Sequence, residues 1–250
     1  MVDVKGKWAF ITGASRGIGY LSALFLADQG CNLILHSRTI KHLEKVMDEV
    51  RKKGVQAHAV FAELSEPEQV ERMLSRIDDL GVQVDIVLNN AGVQVAYRTD
   101  YLLTPASDYE ISLRINTIAP MLICYHFLPK MAERGFGRIV NTSSGIQNEP
   151  EQAGYSASKY ALNRVTVDLG SRINGTNVII SLADPGWCRT DLGGPSAPNS
   201  PESTIPGILV GALVDDKISG RYFPAQDFCG MTMEEAVNKA QDLSKYPIPY

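Results

Sequence analysis

The chain has 250 residues, is 44% apolar and 21% charged, and carries a formal net charge of −4. This is an ordinary globular composition, which argues against disorder, and without a basic excess it also argues against a nucleic-acid or anionic-membrane binder. A chain this long can bury a full core without disulfides or metal. Cys31, Cys124, Cys188 and Cys229 are too scattered for a zinc site or a disulfide framework. They are expected to be buried free thiols. Met1 to Lys7 is mixed and charged, unlike a secretory leader. Ile115 to Met131 is broken by Asn116, Pro120, His126, Pro129 and Lys130, so no bilayer span is expected there. The chain reads as cytoplasmic.

Trp8 to Ile11 reads as a buried strand, followed by helical spacing from Ile18 to Asp28. Asn32 to His36 is a second strand, and Ile40 to Lys53 a helix with Leu43, Val46, Met47 and Val50 on one face. Val55 to Phe61 is a third strand. Ser65-x-x-Glu68 then offers a capping box before a helix carrying Val70, Met73, Leu74 and Ile77. Val84 to Leu88 is strand four, and one long helical region covers Ala106 to Arg134. Gly137 to Asn141 is strand five, Tyr155 to Ile173 a helix, Val178 to Leu182 strand six, and Tyr222-Phe223 part of a short seventh. Gly193 to Pro206 is rich in Gly, Pro, Ser and Asn and reads as a functional loop. Thr232-x-x-Glu235 opens a last helix with Met233, Ala236, Val237, Ala240 and Leu243 on one side, before a Pro247 to Tyr250 extension. Residues 226–250 thus form a helical C-terminal extension that packs on the domain or on another subunit.

Alternating strands and helices, with short and nearly continuously apolar strands, predict one α/β domain with a doubly wound, mostly parallel sheet of about seven strands. Such a sheet binds its ligand beyond the carboxyl ends of its strands, where strand order reverses.

Residues 12 to 19, Thr-Gly-Ala-Ser-Arg-Gly-Ile-Gly, lie between the first strand and the first helix. Gly13, Gly17 and Gly19 allow a tight turn, and the helix start offers unpaired N–H groups to a pyrophosphate. Ser15, Arg16 and Ile18 complete this cofactor segment. NAD binders usually place an acid at the end of the second strand to hold a ribose hydroxyl. Here His36-Ser37-Arg38 stands there, without a carboxylate. Arg38 can fork onto a 2′-phosphate, with Arg16 on its other side, so NADP(H) is favoured over NAD(H).

With these motifs the chain resembles the short-chain dehydrogenase/reductase family, in its single-domain branch. The glycine turn matches the family's cofactor motif, and Asn89-Asn90-Ala91-Gly92 its motif after strand four. Asn116 matches its helix asparagine, Tyr155-Ser-Ala-Ser-Lys159 its catalytic pair, and Asp184-Pro-Gly-Trp-Cys-Arg-Thr190 its Pro-Gly motif. The match runs in order from about Lys7 to Thr190.

Tyr155 and Lys159 are four apart on a helix and share a face. A nearby ammonium favours phenolate, so Lys159 is expected to lower the Tyr155 pKa from its ordinary value near ~10, with Tyr155 exchanging the substrate proton. A serine should hold the substrate oxygen as charge builds on it. Counted from Gly137-Arg138-Ile139-Val140, the resemblance implies Ser144, with Ser143 second. The family's frequent spacing of thirteen back from Tyr155 reaches Thr142 instead, which a two-residue deletion in the Gly145 to Gln152 loop explains, because strand register shifts less readily than a loop.

The resemblance implies that Lys159 also holds nicotinamide ribose hydroxyls, and that Asn116 holds a water in a relay to Lys159. Asn90, Ala91, Gly92 and Leu64 would then line the adenosine side. Pro185, Gly186 and Thr190 would meet the nicotinamide end, with Cys188 giving only backbone. Gln94, Ile146, Gln147, Trp187 and Leu192 are the candidate substrate residues, with residues 193–206 as a lid. The four histidines form no constellation and no metal site is expected. The expected function is NADP(H)-dependent interconversion of a carbonyl and an alcohol, in a homodimer or homotetramer. A 3-oxoacyl thioester reductase and a non-catalytic NADP(H) sensor are the alternatives.

Overall fold

The structure, a computed structural model, describes residues 1–247; most of the expected Pro247 to Tyr250 extension lies outside them. Seven strands form one sheet: β1 (Trp8–Ile11), β2 (Asn32–Ser37), β3 (Ala57–Phe61), β4 (Val84–Asn89), β5 (Gly137–Thr142), β6 (Val178–Asp184) and β7 (Tyr222–Pro224). The eight helices among the described residues are α1 (Gly17–Asp28), α2 (Glu44–Lys52), α3 (Pro67–Asp79), α4 (Ala106–Leu113), α5 (Ala119–Arg134), α6 (Ala153–Ile173), α7 (Gly207–Leu213) and α8 (Met233–Ala240).

The sheet order is β3-β2-β1-β4-β5-β6-β7, and every pairing is parallel. Strand order therefore reverses between β1 and β4. Successive side chains on a strand face opposite ways, which divides the core in two. Ala9, Ile11, Leu33, Leu35, Ile86 and Leu88 join one layer with α1, α2, α7 and α8. Phe10, Ile34, Val87, Ile139 and Ile180 join the other with α3, α5 and α6.

Several sequence expectations change. The Ala106 to Arg134 helix is not uniform: a π-helical turn, Arg114–Ile118, joins α4 to α5. By length and composition this 29-residue stretch does meet the requirement of a bilayer span, because an 18-residue window within it reaches a mean hydropathy of 1.3 despite the polar interruptions. Half of that window is buried inside the fold, as befits a core helix. Helix α3 starts later than a Ser65 cap would place it. Pro67, with φ fixed and no N–H to satisfy, takes the first position, and Glu66 is the uncapped N-cap.

Helix α7 had no clear periodic signal, because every one of its residues is buried. The Thr232–Glu235 capping box forms. However, Leu243 lies beyond α8 and is exposed, so it does not share that helix's buried face. The tail then folds back on the domain: the Tyr246 ring stacks on Phe228, with centroids 5.3 Å apart. Cys31, Cys124 and Cys188 are buried free thiols, but Cys229 is exposed, in the turn that precedes α8.

Candidate active site

The glycine turn sits at the β1–β4 reversal, and its neighbours fix its shape. The Thr12 amide donates to Leu88 O (3.0 Å), and the Thr12 hydroxyl accepts from the amides of Asn90 and Ala91, both at 3.0 Å. The Asn90 side-chain amide donates back to Thr12 O (3.1 Å) and Gly13 O (3.3 Å). On the other side, the Ala14 amide donates to His36 O (2.9 Å) and the Gly13 amide to His36 Nδ1 (3.3 Å). His36 Nε2 lies 3.1 Å from Ala62 O. The ring must therefore be the neutral Nε2–H tautomer, which accepts at Nδ1 and donates at Nε2. Burial pushes its pKa down to about 4 and keeps it neutral. His36 is a structural histidine as expected, but its bridge from the turn to the end of β3, and the part played by Thr12, were not foreseen.

The glycines are required sterically. Gly13 and Gly17 have φ of 66° and 57°, in the left-handed region. A Cβ on Gly19 would lie 2.4 Å from Gly13 O and 2.5 Å from Asn90 Nδ2, which no side chain can occupy. The N-terminus of α1 has no side-chain cap and no acid in its first turn. This cradle fits a pyrophosphate: close backbone, open N–H groups and a favourable helix dipole.

Around it, Ser15 and Ile18 are half-buried and Leu64 is buried. The Ser37 hydroxyl donates to Thr39 O (2.6 Å), and Arg38 is exposed beyond it. Arg16 does not sit beside Arg38 as an unpaired cation. Its guanidinium pairs with Asp191 (3.0 Å), tying the turn to the loop after β6.

The chemistry gathers at the carboxyl ends of β5 and β6. Tyr155 and Lys159, one turn apart on α6, are both buried, with the Lys159 ammonium 5.8 Å from the phenol ring centre. Lys159 Nζ donates to Thr142 O (2.7 Å), at the end of β5. The Ser144 hydroxyl faces the Tyr155 phenol. The Ser143 hydroxyl turns away, bonding to Asn163 Oδ1 at 2.5 Å. This difference favours Ser144 over Ser143.

Burial raises the Tyr155 pKa, Ser144 acts to lower it, and the Asp184 carboxylate raises it further. The expectation that Lys159 depresses the phenol is therefore corrected. A desolvated phenolate facing a carboxylate costs more than the neutral phenol. Burial also pushes Lys159 down, to about 8, against the upward pull of Asp184.

Asn116 lies in the π turn, a feature often found at functional sites. Its side chain is fully engaged within the protein. The amide donates to Val93 O (2.8 Å) and Ser158 Oγ (3.0 Å), and the oxygen accepts from the Val93 amide (2.9 Å). It pins the segment after β4 to α6. A Cβ on Gly92 would lie 3.3 Å from that same oxygen and 3.6 Å from Lys159 Nζ, so Gly92, Asn116 and Lys159 meet.

Pro185 and Gly186 follow β6, and Thr190 closes over the turn: a Cβ on Gly17 would touch Thr190 Cγ2 at 3.4 Å. The Cys188 thiol is buried and donates to Pro185 O (3.2 Å). Trp187 is 58% exposed, with its indole N–H held by Gly193 O at 2.7 Å. Leu192 and Gln147 are exposed, while Gln94 and Ile146 are half-buried. Residues 193–206 contain a short 3-10 turn, Pro201–Thr204, and Asn199 bridges back to Cys188. No His, Cys, Asp or Glu cluster suited to a metal ion occurs among the described residues.

Asp184 was read only as part of a motif. The structure gives it a position in the site, against Tyr222. Nothing in a lone Asp before Pro-Gly announces this, because its partner arrives from β7, 38 residues later.

A family model for short chain dehydrogenases matches residues 7–200. An uncharacterised oxidoreductase of Mycobacterium tuberculosis is 32% identical over 245 residues, covering 95% of this chain and 72% of that protein. The 3-oxoacyl-[acyl-carrier-protein] reductase of Aquifex aeolicus is 32% identical over 196 residues, covering 76% and 77%. Among solved structures, a metagenomic short-chain oxidoreductase in complex with NADP superimposes with a TM-score of 0.68 at 28% identity, covering 74% of this chain and 84% of that one.

Proposed function

Because the chain belongs to the short-chain dehydrogenase/reductase family and is an oxidoreductase, we propose that it interconverts a carbonyl and an alcohol with NADP(H), Tyr155 exchanging the proton. The observation that carries this reading is the convergence of Tyr155, Ser144 and Lys159 at the end of β5, beside a glycine cradle that fits a dinucleotide. NADP(H), when bound, supplies or accepts the hydride.

The protein residues do the rest. In reduction, Ser144 donates a hydrogen bond to the substrate oxygen as negative charge grows on it. Tyr155 gives its phenolic proton to that oxygen, completing the alcohol. Lys159 spends one donor on Thr142 O and keeps two for the ribose side, its positive charge facing the phenolate left behind. Asn116 acts by holding the Val93 backbone and Ser158, which fixes the wall between Gly92 and Lys159. Asn90, Ala91 and Leu64 shape the adenosine side.

The preference for NADP(H) is supported by Arg38 at the end of β2, with no acid beside it. Arg16 can turn from Asp191 to the same phosphate, since exposed ion pairs hold only weakly. The substrate mouth is assigned to Gln94, Ile146, Gln147, Trp187 and Leu192, with residues 193–206 as a lid. A 3-oxoacyl thioester is a second substrate class to test, favoured by the identity to the Aquifex reductase.

We further propose a homodimer or homotetramer, supported by apolar side chains left exposed on the π turn, α5 and α6: Ile118, Tyr125 and Tyr160. A cytoplasmic setting is supported by the three buried free thiols. The test is NADPH and NADH oxidation over aldehydes, ketones, quinones, sugars and acyl thioesters. Tyr155→Phe must nearly abolish turnover; a purified variant that keeps it overturns the assignment.

A further inference from the structure

Asp184 ends β6 as the last residue paired with β7, in register with Pro224. Both of its oxygens are held. Oδ1 accepts from the Gly186 amide (2.9 Å) and Oδ2 from the Tyr222 hydroxyl (2.7 Å). The carboxylate is pressed against the corner that follows Ser144: a Cβ on Gly145 would lie 2.9 Å from Asp184 Oδ2 and 3.6 Å from the Tyr222 oxygen. Gly145 is thus the residue that lets this carboxylate approach the Ser144 backbone. Behind the pair, the Ser143 hydroxyl serves Asn163 and lies within reach of Tyr222. The adjoining residue of β6, Ala183, accepts the Ser143 amide at 2.8 Å. The negative charge is therefore clamped from β7 and its own loop, against the corner that follows β5 and next to the proton-transfer residues.

We propose that Asp184, clamped by Tyr222, is a positioning residue of the reaction: its fixed negative charge holds Lys159 as an ammonium and Tyr155 as a phenol, biasing the site toward carbonyl reduction. This rests on the reductase reading above. The titratable groups facing Asp184 are Tyr155 and Lys159 from α6, Tyr222 from β7, and Cys188 from the following loop, with Arg189 acting on Cys188. Among these, Lys159 is the cation with which it shares the site. Burial pulls Lys159 down to about 8 even against the upward pull of Asp184, so without that carboxylate the amine lies still closer to neutrality. Asp184 supplies it. The same charge opposes phenolate at Tyr155, the form needed to accept a proton in alcohol oxidation.

The signs follow for Asp184→Asn, which keeps the shape and removes the charge. Both Lys159 and Tyr155 lose protons at lower pH. The alkaline limb of kcat/KM for reduction, and the acid limb for oxidation, therefore both move toward acid by roughly one pH unit. A merely structural defect lowers the plateaus and leaves the limbs in place.

Tyr222→Phe keeps the charge and must not move either limb toward acid. If it moves them as Asp184→Asn does, the hydrogen bond rather than the charge is the agent, and the proposal falls. A second readout needs no turnover: ultraviolet difference titration of Tyr155, taken as Asp184→Asn minus Asp184→Asn/Tyr155→Phe and compared with the wild type minus Tyr155→Phe. The phenol must ionise at lower pH in the variant. An unchanged titration overturns the proposal even if no substrate is found. A shifted titration with no carbonyl turnover by the wild type refutes the reductase reading alone.

Discussion

The neutral state of His36 makes the cofactor cradle acid-sensitive. Its ring accepts the Gly13 amide at one nitrogen and donates to Ala62 O from the other, so the imidazolium has a donor facing a donor. Burial lowers its pKa from 6.5 to about 4. The unfolded chain therefore binds this proton more readily than the folded one, and the stability due to neutral His36 is lost as pH falls through 6.5 toward 4. With those two values the loss is about 1.4 kcal/mol at pH ~5.5 and about 2.6 at pH ~4.5, approaching ~3.4 below the folded value. Urea unfolding at pH ~7.5, ~5.5 and ~4.5 measures it directly. His36→Asn, which does not titrate and carries an acceptor oxygen, separates it from carboxylates such as Asp78 and Asp108, which are held below their usual range and lose stability on protonation at lower pH. The wild type should lose stability between pH ~7.5 and ~5.5 while the variant stays level, whereas wild-type NADPH affinity should hold over that interval and fall only as pH approaches the folded-state value of about 4. If the two proteins show the same acid dependence, His36 is not the group, and the argument from its buried tautomer is wrong.

Four further outcomes are expected. Gly19→Ala places a methyl 2.4 Å from Gly13 O; about 1–3 kcal/mol of overpacking should appear as a lower Tm and weaker NADPH binding by fluorescence titration. Arg38→Ala should raise the KM for NADPH about 10–100-fold by removing a charged hydrogen-bond donor, with the KM for NADH nearly unchanged; an equal effect on both refutes the 2′-phosphate assignment. Asp216→Asn leaves the fully buried Arg221 without its 2.5 Å ion-pair partner and should cost about 3–5 kcal/mol in urea unfolding. A thiol reagent should label Cys229 rapidly in the native protein and Cys31, Cys124 and Cys188 only after denaturation, as mass spectrometry of the labelled peptides will read.

Strand and helix order were legible because the strands are short apolar runs and the helices carry apolar faces, as in α2 and α3. Helix α7 was hidden by its burial on all sides, which leaves no polar face to set a period. The π turn was hidden because a helix and its one-residue bulge share the same residue preferences; only the packing of Asn116 against Val93 and Ser158 reveals it. Arg138 and Arg221 are both fully buried, a placement that no local sequence pattern announces. Their partners, Asp215 and Asp216, lie between α7 and β7 and meet them only in the folded chain. Tyr155, Lys159 and Ser144 were legible as a spacing on one helix and a serine at one strand end. The electrostatics between them were not, because burial and a carboxylate from β6 set them.

That last difference decides how the site is to be understood. Spacing alone suggests a two-body problem, an ammonium lowering a phenol. In the fold, α6 carries both groups into a dry crevice, where losing water favours the neutral form of each. Neutral Tyr155 is the form that donates a proton, but neutral Lys159 is useless as a counter-charge. The two needs are compatible only if something favours protons on both. A carboxylate does this, and the chain places one at the end of β6, held by a hydroxyl from β7 and an amide from its own turn. The seventh strand is short, three residues, yet its first residue is the one that fixes this charge. Tyr222→Phe should therefore loosen this carboxylate while leaving NADPH binding at the glycine cradle unchanged, since the cradle is built from β1, β2 and β4 at the strand reversal.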